Sequence, residues 1–184
     1  MAFIDIDIVF DTARILADVK GGTTPGAPAG LNHPDNVIAN QRAFMVVNNA
    51  HLDPRHTDTQ ATSNLYVVAH PYDVIRWRAE SLSDNAVNAA IIYQILPNNP
   101  TGTNILSTPT VNVQTASIPV PNVNDPTTYR VESQTRDTVT ANVNSPGTYP
   151  YLVYFYIVPR DPNTDKLGAP QYYYWDPTVT VTLA

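Results

Sequence analysis

Cysteine is absent from this chain of 184 residues, which removes a disulfide framework, a thiolate metal site and a cysteine nucleophile from consideration. That absence is compatible with a reducing cytoplasm. Lysine is nearly absent too, occurring only at Lys20 and Lys166, and the arginines are scattered. No basic stripe exists to release counterions from a phosphate backbone, so nucleic acid is not an expected partner. Charge of either sign is scarce, at 14% of residues with a formal net charge of −6. A surface built largely from Asn, Thr, Ser and Gln repels its own copies weakly, so self-association is physically easy and a homo-oligomer is expected. No window is long and apolar enough for a membrane span. The run from Met1 to Ile8 has no basic segment and carries Asp5 and Asp7 inside its apolar stretch, unlike a secretory signal.

What is abundant is proline, tyrosine and strand-like alternation. Phe3 to Phe10 places Ile4, Ile6, Ile8 and Phe10 on one face, the period of a half-buried strand. Thr12 to Val19 carries the one helical pattern, with Ile15, Leu16 and Val19 at helical spacing and Gly21-Gly22 as its stop. A long surface loop is expected from Gly21 to Gln41. Further strands are predicted at 43–48, 64–69, 74–81, 89–96, 110–118, 129–143 and 149–158, each bounded by Asn, Pro, Gly or Asp. The chain ends in Gln171-Tyr172-Tyr173-Tyr174-Trp175-Asp176-Pro177 and an alternating Thr178–Leu183, which reads as strand, break, strand. Together these predict one all-β domain over residues 1–184: an antiparallel two-sheet β-sandwich, jelly-roll-like, with one short N-terminal helix. The mostly polar alternation of Tyr129 to Val143 predicts a bulge or a sheet edge where copies could pair.

Signals of chemistry are weak. No Gly-x-Ser-x-Gly turn and no phosphate-cradling glycine loop is present, so no catalytic residue is assigned. Asp5 and Asp7 share a strand face that is expected to be solvated. His51, Asp53, His56 and Asp58 lie within eight positions, but the spacing is not that of a zinc site, and Pro54 suggests a solvated hairpin tip, so no metal is assigned. His33 and His70 each precede a proline and read as turn residues. Calcium is compatible with Asp35-Asn36, Asp84-Asn85 and Asn122–Asp125 by composition alone; none has EF-hand spacing, and no cofactor is assigned. Asp73 to Ser83 is more informative. Alternation turns Ile75, Trp77 and Ala79 one way and Arg76, Arg78 and Glu80 the other, so Trp77 is expected in the core. Arg76 and Arg78 would then stand side by side on the outer face. They either pair with acids such as Glu80 or Asp137 or offer planar donors to a carboxylate or sugar hydroxyl. With Trp175 and Asp176 they form the candidate ligand-binding set, and whether Trp175 faces solvent decides between a ligand site and packing.

Several segments in order along the chain carry a family resemblance: Ile4-Asp5-Ile6, Gly30–His33, Ala43–Asn48, Asp73–Ser83, Phe155–Asp161 and Tyr173–Pro177. On these residues, above all Asp-Val-Ile-Arg-Trp-Arg and Tyr-Trp-Asp-Pro, the chain resembles the bacterial inclusion-body proteins typified by PixA and AidA. The resemblance implies a compact β-sandwich that is abundant in the cytoplasm, sometimes in crystalline inclusions, with links to cell-density-regulated host interaction. It leaves release from the cell open and supplies no catalytic residues. PixA-like members can be methionine-rich, whereas this chain has only Met1 and Met45, which argues against sulfur storage. A non-enzymatic, self-associating protein is therefore the leading expectation. The alternative is a lectin-like carbohydrate-binding module, calcium-assisted or not, stacking sugars on tyrosines such as Tyr149, Tyr151, Tyr172 and Tyr174.

Overall fold

The computed structural model describes residues 1–31, 42–83, 85–98 and 104–183. Strand β1 (Phe3–Phe10) buries Ile4, Ile6, Ile8 and Phe10 completely and turns Asp5 and Asp7 outward, as its alternation requires. Helix α1 (Thr12–Asp18) follows, capped by the Asp11 carboxylate, which accepts from Arg14 N–H at 3.1 Å; its Ile15 enters the core. The remaining strands are β2 (Ala29–Gly30), β3 (Ala43–Val47), β4 (Asn64–Val68), β5 (Val74–Ser81), β6 (Asn88–Pro97), β7 (Thr110–Pro121), β8 (Tyr129–Asn142), β9 (Gly147–Pro159), β10 (Gln171–Trp175) and β11 (Thr178–Thr182). Among the described residues, a 3₁₀ turn spans Thr57–Thr59. The expected long loop contains β2, and its residues 32–41, with His33 and Asp35-Asn36, lie outside the described residues, as does Asp84.

Two sheets form. One has the order β3-β1-β5-β8-β7, and the other runs β2-β10-β9-β11-β4 with β6 also on β9. Their inward rows share one core: Phe10 stacks on Phe155 at 4.1 Å and meets Trp175 edge-on at 6.4 Å. The Asp176-Pro177 break lets β10 and β11 follow one flank of β9 in succession, with Trp175 opposite Val153 and Thr178 opposite Pro150. The expectation of purely antiparallel sheets is corrected. β1 pairs with β5, β10 with β2 and β11 with β4, all in parallel. Each of these partners is separated by intervening elements, and a long crossover permits a parallel neighbour where a tight hairpin cannot.

The polar strand β8 behaves in two ways along its length. Val139 and Thr140 pair with both β5 and β7 and Ala141 and Asn142 with β5, whereas Tyr129 to Thr138 pair with β7 alone. The outer part of the β7–β8 hairpin is thus a two-stranded arm, with Val113, Tyr129 and Val131 each more than 60% exposed. Strand β7 is one edge of its sheet, and β3 is the other.

Candidate functional site

Arg76 and Arg78 stand side by side on the outer face of β5, as alternation dictates, and both are engaged there. The parallel register sets Asp5 beside Arg76 and Asp7 beside Arg78. Arg76 grips Asp5 with two bonds of 2.7 Å, and Arg78 reaches Asp7 at 2.9 Å. The Phe3 ring lies 4.3 Å from the Arg76 guanidinium carbon, adding a cation–π contact. These acids were not among the partners expected from the sequence. The signal was present as two acids and two arginines each spaced by two, but using it required knowing that β1 and β5 are neighbours.

Trp175 is wholly buried between the sheets, and its Nε1 makes no hydrogen bond. Asp176 beside it is exposed. The four candidate residues are therefore not brought together: the arginines lie on the outer face of one sheet, and the tryptophan packs in the core from the other. Tyr149 and Tyr151 are also in the core. Tyr151 Oη accepts from Trp77 Nε1 at 3.1 Å and donates to Met45 Sδ at 2.9 Å, joining the two sheets.

The tyrosines that do face outward form a different set. A bulge between Ile92 and Gln94 lets Ala90, Ile92 and Ile95 all point inward, while Tyr93 turns out. Its ring lies 6.0–6.2 Å from those of Tyr154, Tyr156 and Tyr172, and Tyr174 adjoins Tyr154 at 6.1 Å. Burial, then the neighbouring Tyr154 and Tyr172, raise the Tyr93 hydroxyl above its ordinary range; it donates to Pro25 O at 3.1 Å. The sequence clue to Tyr93 was the break in β6 spacing between Ile92 and Ile95.

The His51–Asp58 loop is solvated at Pro54, Arg55, Thr57 and Asp58 but anchored in the body by Leu52 and Asp53. Leu52 bridges to Val67, and Asp53 is fully buried. The Asp53 carboxylate accepts from Arg55 at 2.8 Å and from the Thr182 hydroxyl at 2.8 Å, and these bonds, led by Arg55, hold it well below the usual carboxylate range. A concavity of about 540 Å³ lies beside it, lined in part by Asn49, Arg55 and Leu183. Among the described residues, no three His, Asp or Glu side chains gather as a metal site. The Asp125 carboxylate is spent within its turn, accepting from Thr127 N–H at 3.1 Å. A second cleft of about 350 Å³ opens where β8 parts from β5, between Arg78, Ile91, Arg136 and Asp137. There burial pushes the Asp137 carboxyl up, while Arg136 donates to Gln134 at 2.8 Å.

Chemically, the arrangement is one of arginines already engaged within the chain, a half-buried tyrosine face and an exposed arm. No helix among the described residues is long and apolar enough to cross a membrane. No curated protein matches the sequence. A solved structure of a PixA inclusion body protein from Burkholderia cenocepacia J2315 superposes with a TM-score of 0.74 at 19% identity, covering 98% of this chain and 96% of that one. At that identity the likeness speaks for the fold. The kinship comes from the family model described as PixA, inclusion body protein, which matches residues 2–181 and so takes in both sheets, the arm and the paired arginines: the chain belongs to the PixA family of inclusion body proteins.

Proposed function

We propose that this protein is a non-enzymatic, self-associating component of bacterial inclusions, held in the cytoplasm and linked to host interaction or cell-density-regulated behaviour. The observation that carries self-association is the β7–β8 arm. Its outer half leaves Val113, Tyr129 and Val131 in water, and a two-stranded ribbon alone is only marginally stable, so it gains by packing against another surface. The body does little to oppose such contact. Of the eight arginines, seven lie within salt-bridge distance of an acid of the same chain, and Arg136 is held by Gln134. Sedimentation velocity from micromolar to millimolar protein, with imaging of producing cells, tests this. Concentration-dependent association and refractile inclusions are expected; a monomer throughout with diffuse cellular distribution would overturn it.

One observation favours a second reading, carbohydrate binding. The five outward tyrosines present adjoining rings on one sheet face, the kind of surface on which sugars stack. A glycan array read with and without calcium decides, and blank wells in both conditions would remove it.

A further inference from the structure

We propose that the outer edge of β7 pairs antiparallel with the β7 edge of a second copy of this chain, joining two five-stranded sheets into one across a two-fold axis. The inference rests on the self-association reading and gives it an interface.

Two other outer strands show how the chain closes an edge. Along β3, Met45 N–H donates to Thr62 O and Ala61 N–H to Met45 O, both at 2.9 Å. The Gln60 amide then brackets Val47, accepting from its N–H at 3.0 Å and donating to its carbonyl at 2.6 Å. Along β4, Asp53 N–H donates to Tyr66 O at 3.1 Å and Val68 N–H to His51 O at 2.8 Å. Strand β7 has no such cover among the described residues. Its ladder runs to β8 alone, and its side-chain bonds, Asn112 to Thr140 and Thr115 to Thr135, point to the same neighbour.

An exposed edge is ordinarily guarded by charge, proline or a bulge. Thr110–Ile118 has none of these: it is uncharged and free of proline, and its register with β8 is unbroken. Pro109 lies before it, and Pro119 and Pro121 lie after it. The open stretch is therefore bounded at both ends, with about 30 Å of ladder between them. This neutrality selects the occupant. A charged peptide finds no complementary charge on the edge, whereas a second β7 meets an identical neutral row without like-charge repulsion. A two-fold contact requires that same patch on both copies. In the fully overlapped antiparallel register Gln114 falls opposite itself, and Val113, 68% exposed in the single chain, faces Thr115 across the ladder.

The test uses the full chain, with Gln114→Lys and Gln114→Glu as variants. Gln114 is exposed on the arm, so circular dichroism should show an unchanged fold, and Gln114→Glu, which faces Arg136 across the hairpin, controls for the like charge that Lys sets there. Sedimentation should show the dimer of Gln114→Lys weakened about fivefold or more, because like charges oppose each other across the axis, and an equimolar mixture of the two variants should recover association. Hydrogen exchange of wild-type protein supplies a second reading, with the 110–118 amides protected at high concentration and exchanging freely at low concentration. Wild-type protein that stays monomeric overturns the self-association reading and this interface with it. Wild-type protein that associates, with Gln114→Lys unaffected and 110–118 exchanging freely in the assembly, overturns the interface alone.

Discussion

Replacing Tyr151 with Phe removes one oxygen from the interior and should cost more than its size suggests. Tyr151 Oη lies between the sheets, fully buried, accepting from Trp77 Nε1 at 3.1 Å and donating to Met45 Sδ at 2.9 Å. Without it the Trp77 N–H keeps its buried position and loses its acceptor. A buried donor stranded in this way costs about 1–3 kcal/mol, while leaving the weak thioether acceptor of Met45 without its donor adds little. For a chain of this size that lowers Tm by roughly 2–12 °C. Equilibrium guanidinium unfolding should show the midpoint falling with m unchanged, as for a loss of stability without a change in exposed surface. Trp77→Phe and the double variant complete a cycle. The double variant should be more stable than the two single losses would sum to, because it removes donor and acceptor together. A Tyr151→Phe midpoint within error of wild type, or strictly additive losses, would refute the view that this bond latches one sheet to the other. The buried Trp175 supplies the contrast, since its Nε1 has no acceptor to lose and its truncation should read as packing alone.

Four other outcomes are expected. Removing residues 178–184 should abolish cooperative unfolding, because β11 buries Val179 and Val181 between β4 and β9; the milder Val181→Ala should cost about 1.5–3 kcal/mol in denaturant unfolding. Arg76→Gln and Arg78→Gln should each cost no more than about 1 kcal/mol, with the difference shrinking in high salt, because both pairs lie partly in solvent. Asp137→Asn should raise Tm at neutral pH. Its folded carboxyl holds a proton more tightly than the unfolded one, so ionisation is a penalty that fades as pH falls through the folded value toward the ordinary 3.8. Asp53→Asn should act oppositely: its depressed folded value makes the carboxylate stabilising above the ordinary range, and that contribution should drain away in acid scans below it.

Strand positions were legible because they depend on period and punctuation. The alternation of Phe3–Phe10 and the Asp176-Pro177 break both appear where residue chemistry puts them. Pairing partners were not legible, because a period of two says which way a side chain faces and nothing about which strand lies alongside. Asp5 and Asp7 read as a solvated face only while β1 had no known neighbour. The same limit applied to Tyr149 and Tyr151: a half-aromatic strand has two faces, and only the register with β10 and β11 shows which one meets the core. In the His51–Asp58 loop, Pro54 and the surrounding polar residues suggested solvent, yet Asp53 is buried because Thr182, more than a hundred residues away, comes to meet its carboxylate.

The parallel pairing of β1 with β5 also bears on how the molecule meets its copies. A slip of one residue in that register would have set the outward acids of one strand beside inward-facing positions of the other. As it is, Asp5 and Asp7 neutralise Arg76 and Arg78 within the chain. These two pairs therefore add no net charge, the chain's formal −6 lies elsewhere, and the strand left open at the far side of that sheet carries no charge at all. Repulsion guards an edge only if it is placed on that edge, and short-range pairing there decides contact once the field of the body is weak. Association should therefore depend only slightly on salt, since the net charge of −6 lies off the paired edge. A steep gain in association with added salt would mean that like-charge repulsion still governs approach, and would shift the weight of the argument from the β7 backbone to the charged faces.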